Sequence, residues 1–437
     1  MKKRILILAQ IFIIAIFSQV SFAQPVNIAP DCSYILMDSK TGQVLLEHNA
    51  DVKVRPASTT KLMTAIVALE NGKLDSVMNV SAEAVNDIGP GGMNIGIMAG
   101  ESNLTLENLL NVMLVRSANE TANIIAENIS GSRAEFVKKM NEKAKEIGAT
   151  NTNFVNPCGK DDAKGEEYHL STARDMALIT RYAMTKPEIR QIVAKEFYKD
   201  LPATNKHQKW DPLQSTNKLL WYSNKYPYTI NNVKYSYTVN GVKTGYTSAA
   251  GNNLLSSAVN SDGLELISVV MHVTGGSSKV FSYTKELYKY GFENYTNKKI
   301  ISSNQVVKNV SVEGAKQNEK LDLIAQSDFY HVAPLNGNDD YTSEEHINNT
   351  IKAPVKKGDV LGTIEYKSKG MSLGSINLIA SSNVEKAVVA MPAEIIKKSG
   401  NKLSKIIIAV GILGVIFLIF RFVMRKLSRR ARKIKSF

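Results

Sequence analysis

Between residues 24 and 293 the apolar positions change period twice, from strand-like to helical and back. Ser33 to Asp38 and Gln43 to Glu47 are apolar-rich strands joined at Ser39-Lys40-Thr41-Gly42, a hairpin. Ser58 to Asn71 carries Leu62, Ile66 and Leu69 at helical spacing, and Gly72 stops it. Thr105 opens a helix through Leu114, and a second helical run from Glu120 ends near Ile129-Ser130-Gly131. Ser132 with Glu135 forms a capping box for a helix that Gly148 terminates, and another helix runs from about Thr172 to Met184. Strands return at Tyr235–Lys243, Asn253–Val259 and Leu264–Val273, the last two joined at Ser261-Asp262-Gly263. A helix from Ser278 to Tyr290, ended by Gly291, closes this part. Strands at both ends with helices between them predict one α/β (α+β) domain over residues 24–293. Its sheet is mostly antiparallel and flanked by helices, with the first and last strands as neighbours.

Short strands with glycine-containing turns follow: Val310–Val312, Leu321–Ala325, Val360–Tyr366 and Ser375–Ala380. They predict a small all-β domain over residues 297–391. After a Lys-rich linker, 392–402, comes Ile406 to Phe420, uncharged throughout. Extended to Leu403–Met424 it reaches about 33 Å as a helix, enough to cross ~30 Å of hydrocarbon. It is apolar on every face, which argues against an amphipathic surface anchor. The basic tail, residues 425–437, belongs in the cytoplasm by the positive-inside rule. At the other end, Lys2-Lys3-Arg4, the apolar run Ile5 to Ile16 and Ser21-Phe22-Ala23 predict a secretory leader over residues 1–23, cut before Gln24. An uncleaved anchor helix is the alternative. The expected arrangement is an extracytoplasmic body on a single C-terminal membrane span.

Composition changes the picture only in what it excludes. The 437 residues carry Lys+Arg 54 against Asp+Glu 40, a net +14 that could suggest a nucleic-acid binder. Lys2, Lys3, Arg4 and the eight basic residues from Arg421 onward hold most of that excess, so the body is near neutral and no nucleic-acid partner is expected. A 44% hydrophobic content excludes a disordered chain. With only Cys32 and Cys158 there is no disulfide framework, though a single bridge between them is open. The six histidines include no H-E-x-x-H or other i, i+4 pair, so no metal is expected.

Three short motifs carry candidate chemistry. Ser58-Thr59-Thr60-Lys61 opens a helix, where residues three apart share a face and the Ser58 hydroxyl can meet the Lys61 amine. Serine needs a base to become a nucleophile, and lysine serves if its pKa falls toward neutrality. Ser117-Ala118-Asn119 lies between two helices, and Lys243-Thr244-Gly245 lies on a strand followed by Tyr246. Each motif alone is common. S-x-x-K recurs at Ser215, Ser282 and Ser399, and Lys40-Thr41-Gly42 duplicates the third motif inside the first hairpin turn.

Order, interval and context raise the signal, because this set in this order is that of penicillin-interacting serine enzymes. The strings Pro56-Ala57-Ser58-Thr59-Thr60-Lys61-Leu62-Met63-Thr64 and Asn240-Gly241-Val242-Lys243-Thr244-Gly245-Tyr246-Thr247-Ser248 closely resemble those of the D-alanyl-D-alanine carboxypeptidases, the low-molecular-mass penicillin-binding proteins. Asn156-Pro157-Cys158-Gly159 and Ser171-Thr172-Ala173-Arg174-Asp175 are similar too, and Ala353-Pro354-Val355-Lys356-Lys357-Gly358 resembles the strand-rich second domain that often follows. The resemblance implies a DD-peptidase/β-lactamase-like fold and acyl transfer without cofactor. It implies peptidoglycan stem peptides as substrate and β-lactams as covalent inhibitors. By the same likeness Ser58 is the nucleophile, Lys61 the general base, Ser117 a proton relay and Asn119 a positioning group. Lys243, Thr244, Gly245 and Tyr246 would bind substrate, with Lys243 also lowering the Lys61 pKa. Two positions depart from the family: Cys158 replaces a frequent histidine, and only Lys279 stands near where an arginine often holds the terminal carboxylate. A β-lactamase is one rival, although Glu166-Glu167 lacks the usual Asn four residues on; a catalytically silent wall-binding protein is another.

Overall fold

A computed structural model of the chain describes residues 26–316, 319–337, 341–368, 370–387 and 393–434. The leader expected over residues 1–23 and its cleavage point lie outside them.

Strand β1 (Ser33–Asp38) turns into β2 (Val44–His48), pairing Leu36 with Leu46. The turn is held by Asp38, whose Oδ2 accepts from both the amide and the hydroxyl of Thr41 at 2.6 Å. Lys40-Thr41-Gly42 is therefore turn chemistry, with Gly42 at φ +79. A 3-10 turn, Ala57–Thr60, leads into α1 (Lys61–Asn71). After α2 (Ala82–Asn86), Thr105 and Asn108 form a reciprocal capping box on α3 (Leu106–Val115). Helices α4 (Asn119–Ser130) and α5 (Arg133–Ile147) each end at a glycine with positive φ, Gly131 and Gly148. Next come α6 (Ala173–Ala183), capped by Thr172, and α7 (Pro187–Val193).

Four later strands are β3 (Lys225–Ile230), β4 (Val233–Thr247), β5 (Gly251–Asn260) and β6 (Glu265–Val273). They complete a six-stranded antiparallel sheet in the order β2-β1-β6-β5-β4-β3. Its first and last long strands are neighbours, with Ser33 opposite Met271 and Asp38 opposite Leu266. The two-residue period of a strand sends Ile35 and Met37 to one face and Tyr34 and Leu36 to the other. The first face packs under α1 and α3–α6 through Leu62, Ile66, Leu109, Ile124, Phe136 and Met176. The second packs on α8 (Ser277–Asn294) through Leu287, Tyr288 and Phe292. Both faces are covered, and each fully buried apolar side chain contributes about 1.5–3 kcal/mol.

One expectation needs correction in this part, and one strand has no counterpart in the sequence reading. Gly291 does not end the last helix but lies within α8, which runs on to Asn294. A Cβ there would stand 2.5 Å from Leu266 Cδ1 and 2.9 Å from Leu36 Cδ2, so glycine lets the helix approach the sheet. The segment Lys225–Ile230, unassigned by its pattern, is the edge strand β3. Its Pro227 suits an edge, where a missing N–H breaks no inner ladder. Cys32 and Cys158 are both free and buried, one in each of the two apolar clusters, so they form no bridge.

From Tyr295 the chain turns to short strands: β7 (Tyr295–Ile301), β8 (Val306–Ser311), β9 (Lys320–Ala325), β10 (Phe329–Pro334), β11 (Thr342–Ile347), β12 (Val360–Ser368) and β13 (Met371–Ala380). They make a five-stranded sheet in the order β8-β9-β13-β12-β11 and a ribbon of β7 with β10. By contact the chain divides into two compact units. One holds the six-stranded sheet and regains Ser327–Glu345 and Ile364–Ile376; the other comprises Asn304–Gln326, His346–Thr363 and Asn377 onward. The last element is one helix, α9 (Ala393–Ile434), so the stretch expected as a linker is helical from Ala393. Its segment Ser404–Leu427, 24 residues, is long and apolar enough to cross a membrane and is unburied.

Candidate active site

Ser58 sits on the 3-10 turn before α1, next to Ala57 at φ +48. Lys61 is the first residue of α1 and fully buried, and its Nζ lies 2.9 Å from Ser58 Oγ. The same nitrogen is 2.6 Å from Asn119 Oδ1 and 2.7 Å from the Cys158 carbonyl. Those two oxygens only accept, because Asn119 Nδ2 is already donating to the Ile88 carbonyl at 2.7 Å. A neutral amine has two N–H bonds and one lone pair. Spending both N–H bonds on the acceptors leaves the lone pair for the Ser58 hydroxyl. Burial lowers the Lys61 pKa to about 8, against the opposing pull of Cys158 and Glu120.

Ser117 occupies the bend between α3 and α4 at φ +68, a region non-glycine residues rarely adopt. That bend turns its Oγ toward β4, where Lys243 Nζ donates to it at 2.9 Å and to the Thr244 carbonyl at 2.8 Å. Burial first, and Lys61 second, hold Lys243 well below the ordinary lysine value. Burial is the largest cause at both lysines, and the repulsion between the two amines adds to it.

Close backbone approach holds the pieces together. A Cβ on Gly245 would lie 2.8 Å from the Pro56 carbonyl oxygen, and one on Gly159 would lie 1.9 Å from that of Ala57. Glycine at both places lets β4 and the 156–159 loop press on the Ser58 turn. Asn253 on β5 ties that turn down, its Nδ2 donating to the Arg55 and Pro56 carbonyls at 2.9 and 3.1 Å. Behind it, the His169 ring meets Thr60 Oγ1 at 2.8 Å, and burial pushes its pKa down to about 3, so it stays neutral.

A cavity of 770 Å³ opens in front of these groups. Ser58, Ser117, Asn119, Thr244, Gly245 and Tyr246 line it, Tyr246 being 63% exposed. Lys61 and Lys243 do not line it; each stands behind the serine it touches. Sequence reasoning missed several groups here. Thr216 Oγ1 is 2.6 Å from Thr244 Oγ1, and Asp161 Oδ2 accepts from Thr247 Oγ1 at 2.7 Å. Neither lies in a chemical motif, although Asp161 closely follows the Asn156–Gly159 string. Lys40 is elsewhere, bordering a separate 660 Å³ cavity with Arg181 and Tyr330. Glu166 also faces away. Its oxygens are held by Lys160 Nζ at 3.0 Å, Asn156 Nδ2 at 3.2 Å and the Ala163 amide at 2.8 Å, and it does not border the Ser58 cavity.

Comparison with known proteins agrees with this geometry over most of the chain. Residues 19–275 match the family model described as D-alanyl-D-alanine carboxypeptidase, and residues 295–386 match that of the penicillin-binding protein 5 C-terminal domain. The chain is 33% identical over 363 residues to the D-alanyl-D-alanine carboxypeptidase DacF of Bacillus subtilis, covering 81% of this chain and 86% of the relative. It is 30% identical to the carboxypeptidase DacA of Haemophilus influenzae, covering 81% and 85%. Among solved structures it resembles penicillin-binding protein 5 from Haemophilus influenzae, with a TM-score of 0.61, 27% identity and coverage of 81% and 97%. A peptidoglycan synthesis regulatory factor, PBP3 of Streptococcus pneumoniae, gives a TM-score of 0.69 at 25% identity, covering 81% and 98%.

Proposed function

Because this chain belongs to the D-alanyl-D-alanine carboxypeptidase family, we propose that Ser58 takes the acyl group of a peptidoglycan stem peptide and releases its terminal D-alanine. The enzyme is a serine-type D-Ala-D-Ala carboxypeptidase. Ser58 Oγ attacks the carbonyl between the two D-alanines while neutral Lys61 takes the hydroxyl proton. The observation that carries this reading is the Lys61 amine, 2.9 Å from Ser58 Oγ with its other two partners acceptor-only. Ser117, hydrogen-bonded to Lys243, passes a proton to the departing D-alanine nitrogen, and the C–N bond breaks. Backbone N–H groups of Ser58 and Tyr246 hold the oxyanion, worth ~3–4 kcal/mol per donor. Water then hydrolyses the ester and returns the free serine. The Thr244 hydroxyl and the Gly245-Tyr246 backbone position the substrate's end.

A β-lactam presents the same kind of amide in a strained ring, so penicillin forms a stable ester on Ser58. Rapid release from that ester needs a carboxylate beside the water, and Glu166 is turned away and engaged, which disfavours a β-lactamase. The body works outside the cytoplasm, held by the span within Ser404–Leu427 with the basic residues after it inside.

The test is incubation with diacyl-Lys-D-Ala-D-Ala and assay of free D-alanine, beside mass analysis of a penicillin adduct. Release of D-alanine and an adduct lost in Ser58→Ala are expected. No release by the folded protein, or an adduct that survives Ser58→Ala, overturns the reading.

A further inference from the structure

Asn253 belongs to none of the three motifs, yet its side chain joins the Ser58 turn to the central sheet. Strand pairing sets it opposite Gly245 of β4. A Cβ on Gly245 would crowd the Pro56 carbonyl oxygen, to which Asn253 Nδ2 donates at 3.1 Å. The same nitrogen donates to the Arg55 carbonyl at 2.9 Å. On its other side, the pairing of β5 with β6 shifts register between Asn252 and Leu254, and His272 stands at φ +59. The His272 N–H finds Asn253 Oδ1 at 2.8 Å. These partners use both N–H bonds of the carboxamide and its oxygen, so they fix which way it faces. Turned over, it would set its oxygen against two carbonyls and its NH2 against a donor. Asn253 borders the Ser58 cavity but is 1% exposed, and with both N–H bonds taken it has no donor left for a substrate.

The two backbone N–H groups assigned to the oxyanion come from different elements, Ser58 from the 3-10 turn and Tyr246 from β4. Their separation decides whether both can reach one oxygen at ~2.7–3.1 Å. Tyr246 is held by the sheet, paired with Asn252 of β5. The turn has no such ladder. Thr59 donates to the Pro56 carbonyl through its amide at 3.3 Å and its hydroxyl at 2.7 Å, which closes the turn on itself and leaves its distance from the sheet unset. Among the described residues, Asn253 is the side chain that ties the Arg55 and Pro56 carbonyls to the sheet. Neighbouring residues of β5 therefore hold one donor each. Asn252 holds Tyr246 by strand pairing, and Asn253 holds the Ser58 turn by its carboxamide.

We propose that Asn253 is a positioning residue that sets the spacing of the two oxyanion donors, and so serves the transition state without contributing to substrate binding. This rests on the carboxypeptidase reading. The experiment compares the full-length enzyme with Asn253→Ala and Asn253→Ser in penicillin acylation by stopped flow, in affinity for a peptide ending in D-boroalanine, and in Tm. The boronic acid imitates the tetrahedral state: Ser58 Oγ adds to boron, the hydroxyl proton passes to Lys61, and a boron hydroxyl takes the place of the oxyanion. In Asn253→Ala the acylation rate constant is expected to fall about 10–100-fold, as for a displaced reacting group or a weakened oxyanion donor. Boronate affinity should fall by a similar factor, and Asn253→Ser, with a shorter donor, should lie between. Initial penicillin binding should be unchanged. The pH midpoint near 8 should not move, because Lys61 keeps its own partners. A structural role alone would lower Tm and leave the folded fraction reacting at the wild-type rate. Unchanged acylation in a folded variant, a loss confined to initial binding, or a shifted pH midpoint overturns the proposal. So does a chain that folds with neither substitution, since Asn253 would then serve the core alone. A wild type that takes no penicillin on Ser58 removes the reading on which it rests.

Discussion

A lysine can be a base at neutral pH only if its surroundings penalise its charge, and at Lys61 that penalty comes from burial. With a pKa of about 8, roughly a tenth of Lys61 is neutral at pH 7. The penicillin acylation rate is therefore expected to rise with pH and to level off above about 8, which stopped-flow rates between pH 6 and 9 would show. A flat profile would mean that another group is the base. Stability follows the same sign. The native value is lowered from 10.5, so between about 8 and 10.5 the unfolded chain binds a proton that the native one has released. The native state thus gains stability as pH climbs through that window, and the full burial penalty applies below it. The two copies of Lys-Thr-Gly make a second test. Lys243→Ala removes the donor to Ser117 and is expected to slow acylation by ~3 kcal/mol, about a hundredfold. Lys40→Ala, in a surface turn, should change rate and stability by no more than ~0.5 kcal/mol. Equal effects at the two lysines would contradict the placement of Lys243 behind Ser117.

Elements with a strong period were legible in the sequence, and those defined by what touches them were not. Helices α1 and α3–α6 announce themselves through apolar spacing and through Thr105, Ser132, Gly131 and Gly148 at their ends. The Ser58, Ser117 and Lys243 motifs could be placed on a helix start, a bend and a strand for the same reason. Gly291 was misleading because a glycine that stops a helix and one that lets a helix touch a sheet look alike until Leu36 and Leu266 are in view. Strand β3 was hidden by Pro227, which is tolerated only because that strand is an edge. Thr216 and Asn253 carry no local signature; their significance arises from β4 and β5 passing beside them. A comparison of two glycines separates packing from chemistry. Gly159→Ala puts a methyl against a backbone oxygen beneath Ser58 at φ +85, and is expected to cost ~1–3 kcal/mol and most of the acylation rate. Gly291→Ala meets only leucine methyls, and should lower Tm while leaving penicillin labelling of the folded fraction intact. Parallel Tm and labelling measurements decide this. Similar labelling losses would place the Gly159 effect in global stability.

At the scale of the whole molecule, none of the residues assigned to the reaction comes from the strand-rich region or from α9. Removing residues 393–437 is expected to shift the protein from the membrane to the soluble fraction while D-alanine release from a short peptide stays within about twofold. A folded truncated protein that has lost activity would show that the helix helps shape the cavity.

The order of the six-stranded sheet has a consequence in time. Strand β1 sits between β2 and β6, so one of the first segments synthesised waits for one of the last in its unit before its second edge is paired. The cleft has the same property: Ser117 meets Lys243 across 126 residues of chain, and Asn253 reaches back 198 to Arg55. Loops of that length close slowly, and topologies rich in such distant contacts are slow folders. During synthesis the Ser58–Lys61 pair thus exists as a sequence long before it exists as a reactive centre. A nascent chain halted at Ile230 has every residue of the serine–lysine pair and should be blind to penicillin. One extended through β6 should gain labelling in a single late step.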